Sequence, residues 1–547
     1  MLRTRYVAIS LLILSCVSWQ IARAQSSTPA WRWAQGFRTH QYNGPADLAV
    51  DDVGNTYLAG TFDTYLPLGP GTTLTPQSGA DGFLAKFSPT GTLLWAQQLR
   101  GLNGRLNKLK LIPATSGGRL YLSGVAAVGA VSINTQTLPI ATRDDCVFTA
   151  CFDTQGQLQW LRPLASLGGS TSVYDLELDA AGNLYLLGTV QGTVALGNAI
   201  SLTTGPDKQL FWAKFSPTGT ALWARQALLP TSVNHEVVAT DLSVSPAGDA
   251  LYLLGDVNDL ITTFAGLTLG APKGFMDVLV TKCDGQGQPR WTYRSGGQGG
   301  YNYAGGAALD AAGHLAVGFT FQGTLTLAST TFTAPAGNYR AAVQVLDSAG
   351  IVQWAQALTQ NLSSAYYDEH ATGVLTDAAA NVYLTTGGPL AVINYSATGQ
   401  SRWVVWSCGS EYGGRSALGA SGHLSLTGHY QTGACFGGIG LASYYVSGVG
   451  AESFYLAQLG PALPLTATQL PAVSQPLALY PLPAHEAVQL PALPAGTQLT
   501  LLDALGRAIW VKPASRQLPL FGLAPGLYHL RATAPNGSQW ASQLQVN

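Results

Sequence analysis

Gly91-Thr92-Leu93-Leu94-Trp95 is the first of six Gly-x-x-x-Trp segments that recur along this 547-residue chain. The spacing is about 65 residues and shortens at the last step, which indicates one supersecondary unit copied many times. A repeat of this kind sets the architecture and says little about chemistry. The six pairs are Gly91/Trp95, Gly156/Trp160, Gly219/Trp223, Gly287/Trp291, Gly350/Trp354 and Gly399/Trp403.

The first full copy of the repeat contains four short strand-like segments. They cover residues 46–51, 56–62, 83–87 and 93–99, where apolar and β-branched side chains predominate. Turn residues such as Gly54, Asn55 and Pro89 separate the first pair and the last pair, and a long polar loop separates the second segment from the third. Four antiparallel strands per repeat, arrayed several times, predict the blades of a β-propeller.

The number of blades follows from counting each element of the repeat. Inner hairpins number seven, and so do third strands, which begin near Phe83, Cys146, Phe211, Val278, Ala341, Ala391 and Phe454. Trp-centred fourth strands reach seven only if residues 31–37, near the N-terminus, are included. The fold class is therefore predicted to be all-β, with a seven-bladed propeller over residues 25–460. We expect residues 31–37 to pair with residues 454–459 and close the ring, because an unpaired sheet edge promotes aggregation.

Two repeated residue types have both a structural and a functional interpretation. The Asp and Asn residues of turns such as 179–185 and 377–383 suit either calcium ligands or turn formers. No loop has the dense Asp/Asn spacing of a calcium loop, so we interpret them as turn formers and predict no metal site. The tryptophans are interpreted as packing between blades, because large aromatic side chains bury the most area.

The N-terminus has the pattern of a secretory signal peptide over residues 1–24. Arg3 and Arg5 precede an apolar stretch at residues 7–15, and Ala22-Arg23-Ala24 predicts cleavage between Ala24 and Gln25. An uncleaved anchor helix and a lipoprotein signal at residues 13–16 are the alternatives. No later segment is long and apolar enough to cross a membrane as a helix. Only 10% of residues are charged and the net charge is −1, which makes nucleic acid an unexpected partner.

Two resemblances to known families extend this interpretation. The order Asp-x-x-Gly-Asn-x-Tyr, Phe-x-x-Lys and Gly-x-x-x-Trp over residues 31–460 resembles the bacterial β-propeller repeat family, which implies the fold and leaves the function open. After a Pro-rich linker at 461–476, residues 477–547 resemble a type IX secretion sorting domain of Bacteroidetes-type bacteria. The resemblance rests on the segments 477–484, 501–507, 523–528 and 540–547. It implies a small β-sandwich that is recognised by the type IX secretion machinery, so the protein is expected to be secreted or at the outer cell surface. An ordinary terminal β-sandwich is the alternative.

We recognise no catalytic motif in this sequence. No His-Glu-x-x-His, Gly-x-Ser-x-Gly or phosphate-binding loop occurs. Residues 85–95 partly resemble the tryptophan-docking repeat of quinoproteins, but Phe87 replaces its acidic residue and no adjacent cysteine pair exists, so no cofactor is predicted. Cys408 and Cys435 fall in loops on one side of the ring and are candidates for a disulfide. Cys146 and Cys151 lie on opposite faces of one strand and are not expected to pair.

The loops that enter each blade, and those between its second and third strands, are expected to share one face. Aromatic, amide and acidic side chains around a central depression there suit a carbohydrate or a peptide. Our leading hypothesis is an exported, non-catalytic propeller that binds a glycan or protein; a surface polysaccharide hydrolase or lyase and a purely structural protein are the alternatives. The candidate ligand-binding residues are His40, Tyr42, His235, Tyr303, Tyr366, Asp368 and Tyr412, with Asn43, Arg105, Glu236, Tyr301, Tyr367, Glu369, His370 and Glu411 on the same face.

Overall fold

A computed structural model describes most of residues 29–546. The gaps are residues 39–43, 78, 113–117, 127–128, 141–145, 167–170, 206, 228–236, 328, 359–368, 389, 408–410, 431–432, 442–452, 461–474, 478, 481–486, 503–507, 521–525 and 535–538. The described residues form an all-β protein without helices. The chain divides into two compact units, the first ending at Ala462 and the second beginning at Leu463.

The first unit is built from short strands. In its first half they are β1 (Ala30–Arg38), β2 (Gly44–Val50), β3 (Thr56–Phe62), β4 (Leu66–Gly69), β5 (Thr72–Leu74), β6 (Asp81–Phe87), β7 (Leu93–Arg100), β8 (Leu102–Ile112), β9 (Arg119–Ala126), β10 (Gly129–Ile133), β11 (Gln136–Ile140), β12 (Cys146–Asp153), β13 (Leu158–Ser166), β14 (Thr171–Leu178), β15 (Leu184–Val190), β16 (Thr193–Gly197), β17 (Ile200–Thr203), β18 (Gln209–Phe215), β19 (Ala221–Ala227) and β20 (Val237–Val244). In its second half they are β21 (Ala250–Asn258), β22 (Thr263–Phe264), β23 (Leu267–Thr268), β24 (Met276–Asp284), β25 (Pro289–Ser295), β26 (Tyr303–Leu309), β27 (Leu315–Phe321), β28 (Thr324–Leu327), β29 (Thr330–Thr333), β30 (Arg340–Leu346), β31 (Val352–Ala357), β32 (His370–Thr376), β33 (Val382–Gly387), β34 (Ala391–Tyr395), β35 (Ser401–Trp406), β36 (Glu411–Leu418), β37 (Leu424–Tyr430), β38 (Ala434–Phe436), β39 (Ile439–Leu441) and β40 (Ser453–Gly460).

Within the described residues, these strands form seven antiparallel sheets that each contain a four-stranded meander. From the innermost strand outward they are sheet 1 (β2-β3-β6-β7), sheet 2 (β8-β9-β12-β13), sheet 3 (β14-β15-β18-β19), sheet 4 (β20-β21-β24-β25), sheet 5 (β26-β27-β30-β31), sheet 6 (β32-β33-β34-β35) and sheet 7 (β36-β37-β40-β1). The innermost strands contact one another in a closed circle, from β2 through β36 and back to β2. A ring of meanders of this kind is the arrangement of a β-propeller.

The hydrophobic core of the first unit lies between the faces of neighbouring sheets. Each of seven hydrophobic clusters in the described residues joins one sheet to the next. The cluster between sheets 7 and 1 contains Phe37 and Phe454 from one side and Phe83 and Leu58 from the other. Every sheet is therefore covered by apolar side chains on both faces, which explains why its middle strands are buried along their length.

The N-terminal strand completes the last sheet, as the sequence predicts. Strand β1 pairs antiparallel with β40, with Phe37 opposite Phe454 and Trp31 opposite Leu459. The rings of Phe37 and Phe454 stack with centroids 4.8 Å apart. The third and fourth strands of sheet 7 thus come from opposite ends of the unit and close the circle.

The long loops between second and third strands contain β-hairpins that the sequence analysis did not predict. The hairpin β10-β11 leaves sheet 2 and pairs with β7 of sheet 1, and β16-β17 leaves sheet 3 and pairs with β13 of sheet 2. Hairpins also form in the corresponding loops of sheets 1, 4, 5 and 7. Sheet 6 lacks this loop, as the sequence indicates, because β33 ends at Gly387 and β34 begins at Ala391.

The Gly-x-x-x-Trp pattern interlocks neighbouring sheets. In each of the six copies, a Cβ placed on the glycine would lie 2.6–3.4 Å from the tryptophan of the preceding sheet. These glycines also have φ between +73° and +85°, where other residues are strained. Trp33 of sheet 7 follows the same rule, packing on Gly91 and donating from Nε1 to the Pro89 carbonyl at 2.9 Å. The tryptophans therefore pack between sheets, as predicted.

The repeated Asp residues act as turn formers. Asp179 Oδ1 accepts the backbone N–H groups of Ala181 and Asn183 at 3.1 and 2.8 Å, and Oδ2 accepts the Asn183 side chain and the Tyr185 hydroxyl. Asp51 and Asp377 bind their own turns in the same way. The carboxylates are engaged by local donors, which confirms the interpretation of these residues as turn formers.

The second unit is a smaller all-β domain. Its strands are β41 (Gln475–Pro476), β42 (Ala487–Gln489), β43 (Gln498–Leu502), β44 (Ala508–Pro513), β45 (Gln517–Pro519), β46 (Gly526–Thr533) and β47 (Gln539–Val546). They form a five-stranded sheet, β41-β47-β46-β43-β44, and a two-stranded sheet, β42-β45. Side chains of both sheets, including Leu501 and Val488, share one hydrophobic cluster.

Candidate ligand-binding site on the loop-bearing face

The two ends of the meanders differ in what they carry. One end has the short turns between first and second strands and between third and fourth strands, and we call it the turn-bearing face. The opposite end has the connections between sheets and the loops between second and third strands, and we call it the loop-bearing face. The sequence analysis assigned all the candidate ligand-binding residues to the loop-bearing face.

Few of those candidates are described by the structure. His40, Tyr42, His235, Tyr366 and Asp368 lie outside the described residues. Tyr412 lies in β36 with a side chain that is not described. Tyr303 is described, and it begins β26, the innermost strand of sheet 5.

Tyr303 belongs to a row of five rings on the loop-bearing face, which we call the aromatic platform. The row consists of Phe275, Tyr301, Tyr303, Tyr339 and His370, and each ring contacts the next. Centroids are separated by 5.5 Å (Phe275–Tyr301), 6.3 Å (Tyr301–Tyr303), 6.0 Å (Tyr303–Tyr339) and 5.3 Å (Tyr339–His370). The platform starts in sheet 4, crosses sheet 5 and ends at the innermost strand of sheet 6. The rings of Phe275 and Tyr301 are 56% and 43% exposed, so the outer end faces solvent.

Backbone contacts fix the two loops that carry the outer end of the platform. The N–H of Phe275 donates to the Gly300 carbonyl at 2.9 Å, and the N–H of Gly299 donates to the Lys273 carbonyl at 3.0 Å. A Cβ on Gly274 would lie 2.1 Å from the Gly300 oxygen, so glycine is required for this approach. The glycine-rich segment 296–300 therefore brings Tyr301 beside Phe275.

A buried polar network anchors the same loops from below. The Asp277 carboxylate accepts the N–H groups of Lys273 and Gly274 at 2.8 and 2.9 Å, and Arg294 lies 3.7 Å away as its ionic partner. Asn302 donates to the Met276 carbonyl at 2.8 Å and accepts the Gly297 N–H at 2.8 Å. Exposed platform residues thus alternate along the chain with buried polar residues, which restrict the positions of the loops that carry the rings.

One buried carboxyl lies next to the platform. Glu369 directly precedes His370, is 8% exposed, and its Oε2 atom is buried without a hydrogen-bond partner. Burial raises the pKa of Glu369 to about 7, although the positive charge of Arg340 acts to lower it. Burial and the neighbouring Tyr339 hydroxyl also raise the pKa of Tyr303. Glu369 is therefore able to donate or accept a hydrogen bond near neutral pH.

The inner end of the platform adjoins a cavity in the centre of the ring, which we call the mouth cavity. Ala304 and Ala371, the residues after Tyr303 and His370, both line it. Its volume is about 340 Å³, and its lining also includes Thr240, Arg415 and His429. A second cavity of about 370 Å³, the axial cavity, continues between the innermost strands toward the turn-bearing face. Arg415 lines both cavities.

Sequence reasoning found part of this site. Tyr301, Tyr303, Glu369 and His370 were assigned to the loop-bearing face, and the structure brings them together. Phe275 and Tyr339 were missed, although each directly precedes a third strand and so had to lie at this end of its sheet.

The cysteines are buried or bonded where they are described. Cys435 in β38 is disulfide-bonded. Cys408 lies outside the described residues, so its pairing with Cys435 stays a prediction. Cys151 and Cys283 are buried free thiols, so Cys151 does not pair with Cys146, and burial raises their pKa values to about 11 and 12.

Within the described part of the chain, no group of three or more His, Cys, Asp or Glu side chains is arranged to hold a metal ion. No helix among the described residues is long and apolar enough to span a bilayer.

Comparisons with known proteins give weak structural similarities only. No protein-family model matches the chain, and no curated protein matches it in sequence. A protein of unknown function from Dyadobacter fermentans is 9% identical with a TM-score of 0.38, over 79% of this chain and 99% of that one. An inactive variant of virginiamycin B lyase from Staphylococcus aureus is 8% identical with a TM-score of 0.37, over 77% and 98%.

An ulvan lyase of a polysaccharide lyase family, bound to a fragment of glucuronic acid and sulfated rhamnose, is 11% identical to the chain. Its TM-score is 0.39, over 72% of this chain and 93% of the lyase. Similarities this low support no conclusion about activity.

Proposed function

We propose that this protein is an exported, non-catalytic seven-bladed β-propeller that binds a glycan through the aromatic platform. The seven sheets between Ala30 and Gly460 are taken as the seven blades, because their innermost strands contact one another in a closed circle. The observation that carries the binding proposal is the row of five touching rings with a solvent-exposed outer end.

A glycan fits this surface better than an apolar ligand. A pyranose ring has C–H groups on its faces and hydroxyls on its rim, so it stacks on an aromatic ring while its rim stays hydrated. Tyrosine and histidine combine an apolar ring with a polar tip, which suits such a ligand. The tyrosine hydroxyls provide polar groups at the edges of the rings. A row of rings also suits a linear chain of sugars, since successive residues of the chain have successive rings to stack on.

The proposal that the protein is exported rests on the sequences at the two ends of the chain. Residues 1–24 are taken as a cleaved signal peptide, and residues 477–547 as a β-sandwich sorting domain for the type IX secretion machinery. Two sheets with one shared hydrophobic cluster in the second unit support the sandwich. Terminal sequencing of the secreted protein is expected to begin at Gln25 and to stop before residue 477. A periplasmic protein that retains both ends contradicts this proposal.

The binding proposal is tested with the protein as it is exported, on an array of bacterial, algal and plant glycans. Tyr301→Ala is expected to lower affinity at least tenfold for every glycan bound. Tyr65→Ala is the matched control, because Tyr65 is a 54% exposed tyrosine on the same face outside the platform. Equal binding by both variants, or no glycan bound by the unmodified protein, contradicts the proposal. The second of these outcomes favours a purely structural surface protein.

A polysaccharide hydrolase or lyase is the second candidate, and Glu369 is the observation that favours it. A buried carboxyl with a pKa of about 7 resembles the general acids and bases of enzymes. Hydrolysis of glycosides ordinarily needs two carboxyl groups at a defined separation. Incubation with each bound glycan, followed by chromatography of the products, distinguishes the two. Products that disappear in Glu369→Gln favour the enzyme.

A further inference from the structure

Arg415 occupies a special position in the innermost strand of sheet 7. In the innermost strands, the register against the second strand shifts by a bulge near the middle. The residues directly after the bulge are Asp47, Asp175, Asp241, Gly306, Gly373 and Arg415 in sheets 1, 3, 4, 5, 6 and 7. Sheet 2 has two such shifts, and the residues after them, Arg105 and Lys108, are also cations. Arg415 is thus a cation at a position where three other sheets have an aspartate, and among the cations at this position it is the one whose side chain is described.

The aspartates at this position tie neighbouring innermost strands together. Asp175 Oδ2 accepts the N–H of Leu242 in the next sheet at 2.7 Å, and Asp241 Oδ2 accepts the N–H of Ala307 in the sheet after that at 2.8 Å. Their other oxygens accept the N–H of the following residue in their own strands. Each of these carboxylates therefore accepts hydrogen bonds from backbone N–H groups of the innermost strands, and these bonds stabilise its negative charge.

A guanidinium cannot perform this task, because it has no acceptor atom. Arg415 is exposed, lines both the mouth cavity and the axial cavity, and forms no ion pair with a described residue. The bulge before it includes Gly414, where a Cβ would lie 2.7 Å from the Thr427 carbonyl oxygen. Bulges of this kind redirect a side chain, here into the centre of the ring.

The two cavities differ in charge. The axial cavity is lined by Asp47, Glu177 and Asp241 as well as by Arg415. The described lining of the mouth cavity contains Arg415 and His429 and no carboxylate. A recess whose described lining has a guanidinium and no acidic side chain favours an anion, since charge-assisted hydrogen bonds from arginine to carboxylate or sulfate oxygens are strong and directional.

We propose that the mouth cavity binds an anionic group, a carboxylate or a sulfate ester, of a glycan whose neighbouring sugars stack on the aromatic platform. This inference rests on the proposed function. The anion site extends the proposed glycan-binding site, because Ala304 and Ala371 follow platform residues in the chain and line the mouth cavity. The ligand class is therefore an acidic polysaccharide, with Arg415 as the residue that selects for charge.

The experiment compares three probes by isothermal titration: oligogalacturonate, its methyl ester, and a sulfated galactan oligosaccharide. The unmodified full-length protein is expected to bind at least one acidic probe about tenfold or more tightly than the neutral ester. Arg415→Gln is expected to remove that preference, so that the variant binds the acidic probes no more tightly than the ester. Arg402→Gln, an exposed arginine on the outermost strand of sheet 6, is the matched control and is expected to keep the preference.

The outcomes separate the two proposals. Equal affinity for the ester and the acidic probes, or a preference that survives Arg415→Gln, overturns the anion site and leaves glycan binding in place. Binding of none of the probes, together with an empty glycan array, overturns both. If Arg415→Gln does not fold by circular dichroism, Arg415→Lys serves instead, and an affinity between those of the unmodified protein and the ester is expected because the charge remains without the planar fork.

Discussion

Asp179 on the turn-bearing face and Glu369 on the loop-bearing face are both buried acidic residues, but their carboxyl groups differ in their partners. On the turn-bearing face, Asp179 is buried, yet hydrogen bonds from Asn183 and the charge of Lys214 lower its pKa against the effect of burial. On the loop-bearing face, Glu369 is equally buried but has an oxygen without a partner, and burial raises its pKa to about 7. The carboxylate of Asp179 is therefore satisfied by local partners, whereas the carboxyl of Glu369 is not.

The same contrast holds for the aromatic side chains. Tryptophans of the turn-bearing face pack on glycines of the next sheet and donate to backbone carbonyls there, as Trp160 does to Pro217 and Trp354 to Ala397. The rings of the platform contact one another and leave their outer end in solvent. The tryptophans of the repeat therefore connect neighbouring sheets, whereas the platform rings, which are not part of the repeat, are partly exposed.

The largest effect is expected from removing the strand that closes the ring. A deletion of residues 26–37 from the protein removes Trp33 and Phe37, which are 9% and 3% exposed. Loss of one large buried aromatic side chain costs roughly 3–5 kcal/mol, so the free energy of unfolding is expected to fall by at least this amount. The exposed edge of β40 is also expected to promote aggregation. Urea denaturation and light scattering measure the two effects.

Leu94→Ala is the control for this deletion, since Leu94 is 52% exposed on the outermost strand of sheet 1 and its loss is expected to change stability little. A truncated protein that is as stable and soluble as the intact one shows that ring closure by β1 is wrong.

The second prediction concerns the pH dependence that Glu369 gives to the loop-bearing face. Its pKa is about 7 in the folded protein and about 4.3 in an unfolded chain, so the folded state holds the proton more tightly. Its contribution to stability is therefore fully present below pH 4 and is lost as the pH rises to about 7. Glu369→Gln is expected to exceed the unmodified protein in stability at pH 8 by roughly 2–4 kcal/mol, with the difference vanishing near pH 4. Urea denaturation of both proteins at pH 4 and pH 8 measures this difference. If the difference in stability between Glu369→Gln and the unmodified protein is the same at both pH values, Glu369 is not a buried, unpaired carboxyl.

A smaller effect is expected from substitution of a repeat glycine that packs on the tryptophan of the preceding sheet. Gly399 and Gly313 have φ of +79° and +84°, so alanine is strained at both by about 1–2 kcal/mol. Only at Gly399 does the added Cβ also meet a tryptophan, 2.7 Å from Trp354 Cδ2, whereas Gly313 has open space. Gly399→Ala is therefore expected to be less stable than Gly313→Ala by roughly 1–3 kcal/mol, the cost of overpacking. Equal melting temperatures of the two variants are incompatible with the interlock.

Much of the fold could be predicted because the repeat is encoded locally. Strand alternation, turn residues and the tryptophan spacing each recur, and a missing fourth strand at one end matched an extra strand at the other. The hairpins in the long loops were missed, since the pairing of β10 with β7 joins two different repeats and leaves no local signal.

The site could be predicted only in part for a related reason. Chain order places Tyr301, Tyr303 and His370 on the loop-bearing face, which sequence reasoning found. The contact of Tyr301 with Phe275 depends on the close approach of Gly274 to Gly300, which belong to two irregular loops. The role proposed for Arg415 depends on a bulge, and the position of that bulge is known only from the strand register.

The division of roles between the two faces is tested most directly by measuring stability and glycan affinity together on one variant from each face. Tyr301→Ala is expected to keep the melting temperature within about 2 °C, because an exposed side chain contributes within roughly 0.5 kcal/mol, and to lose at least tenfold in affinity. Gly399→Ala is expected to lower the melting temperature by several degrees and to keep its affinity at a temperature where it is folded. A Tyr301→Ala protein that binds as before, or a Gly399→Ala protein that loses binding while folded, contradicts the account.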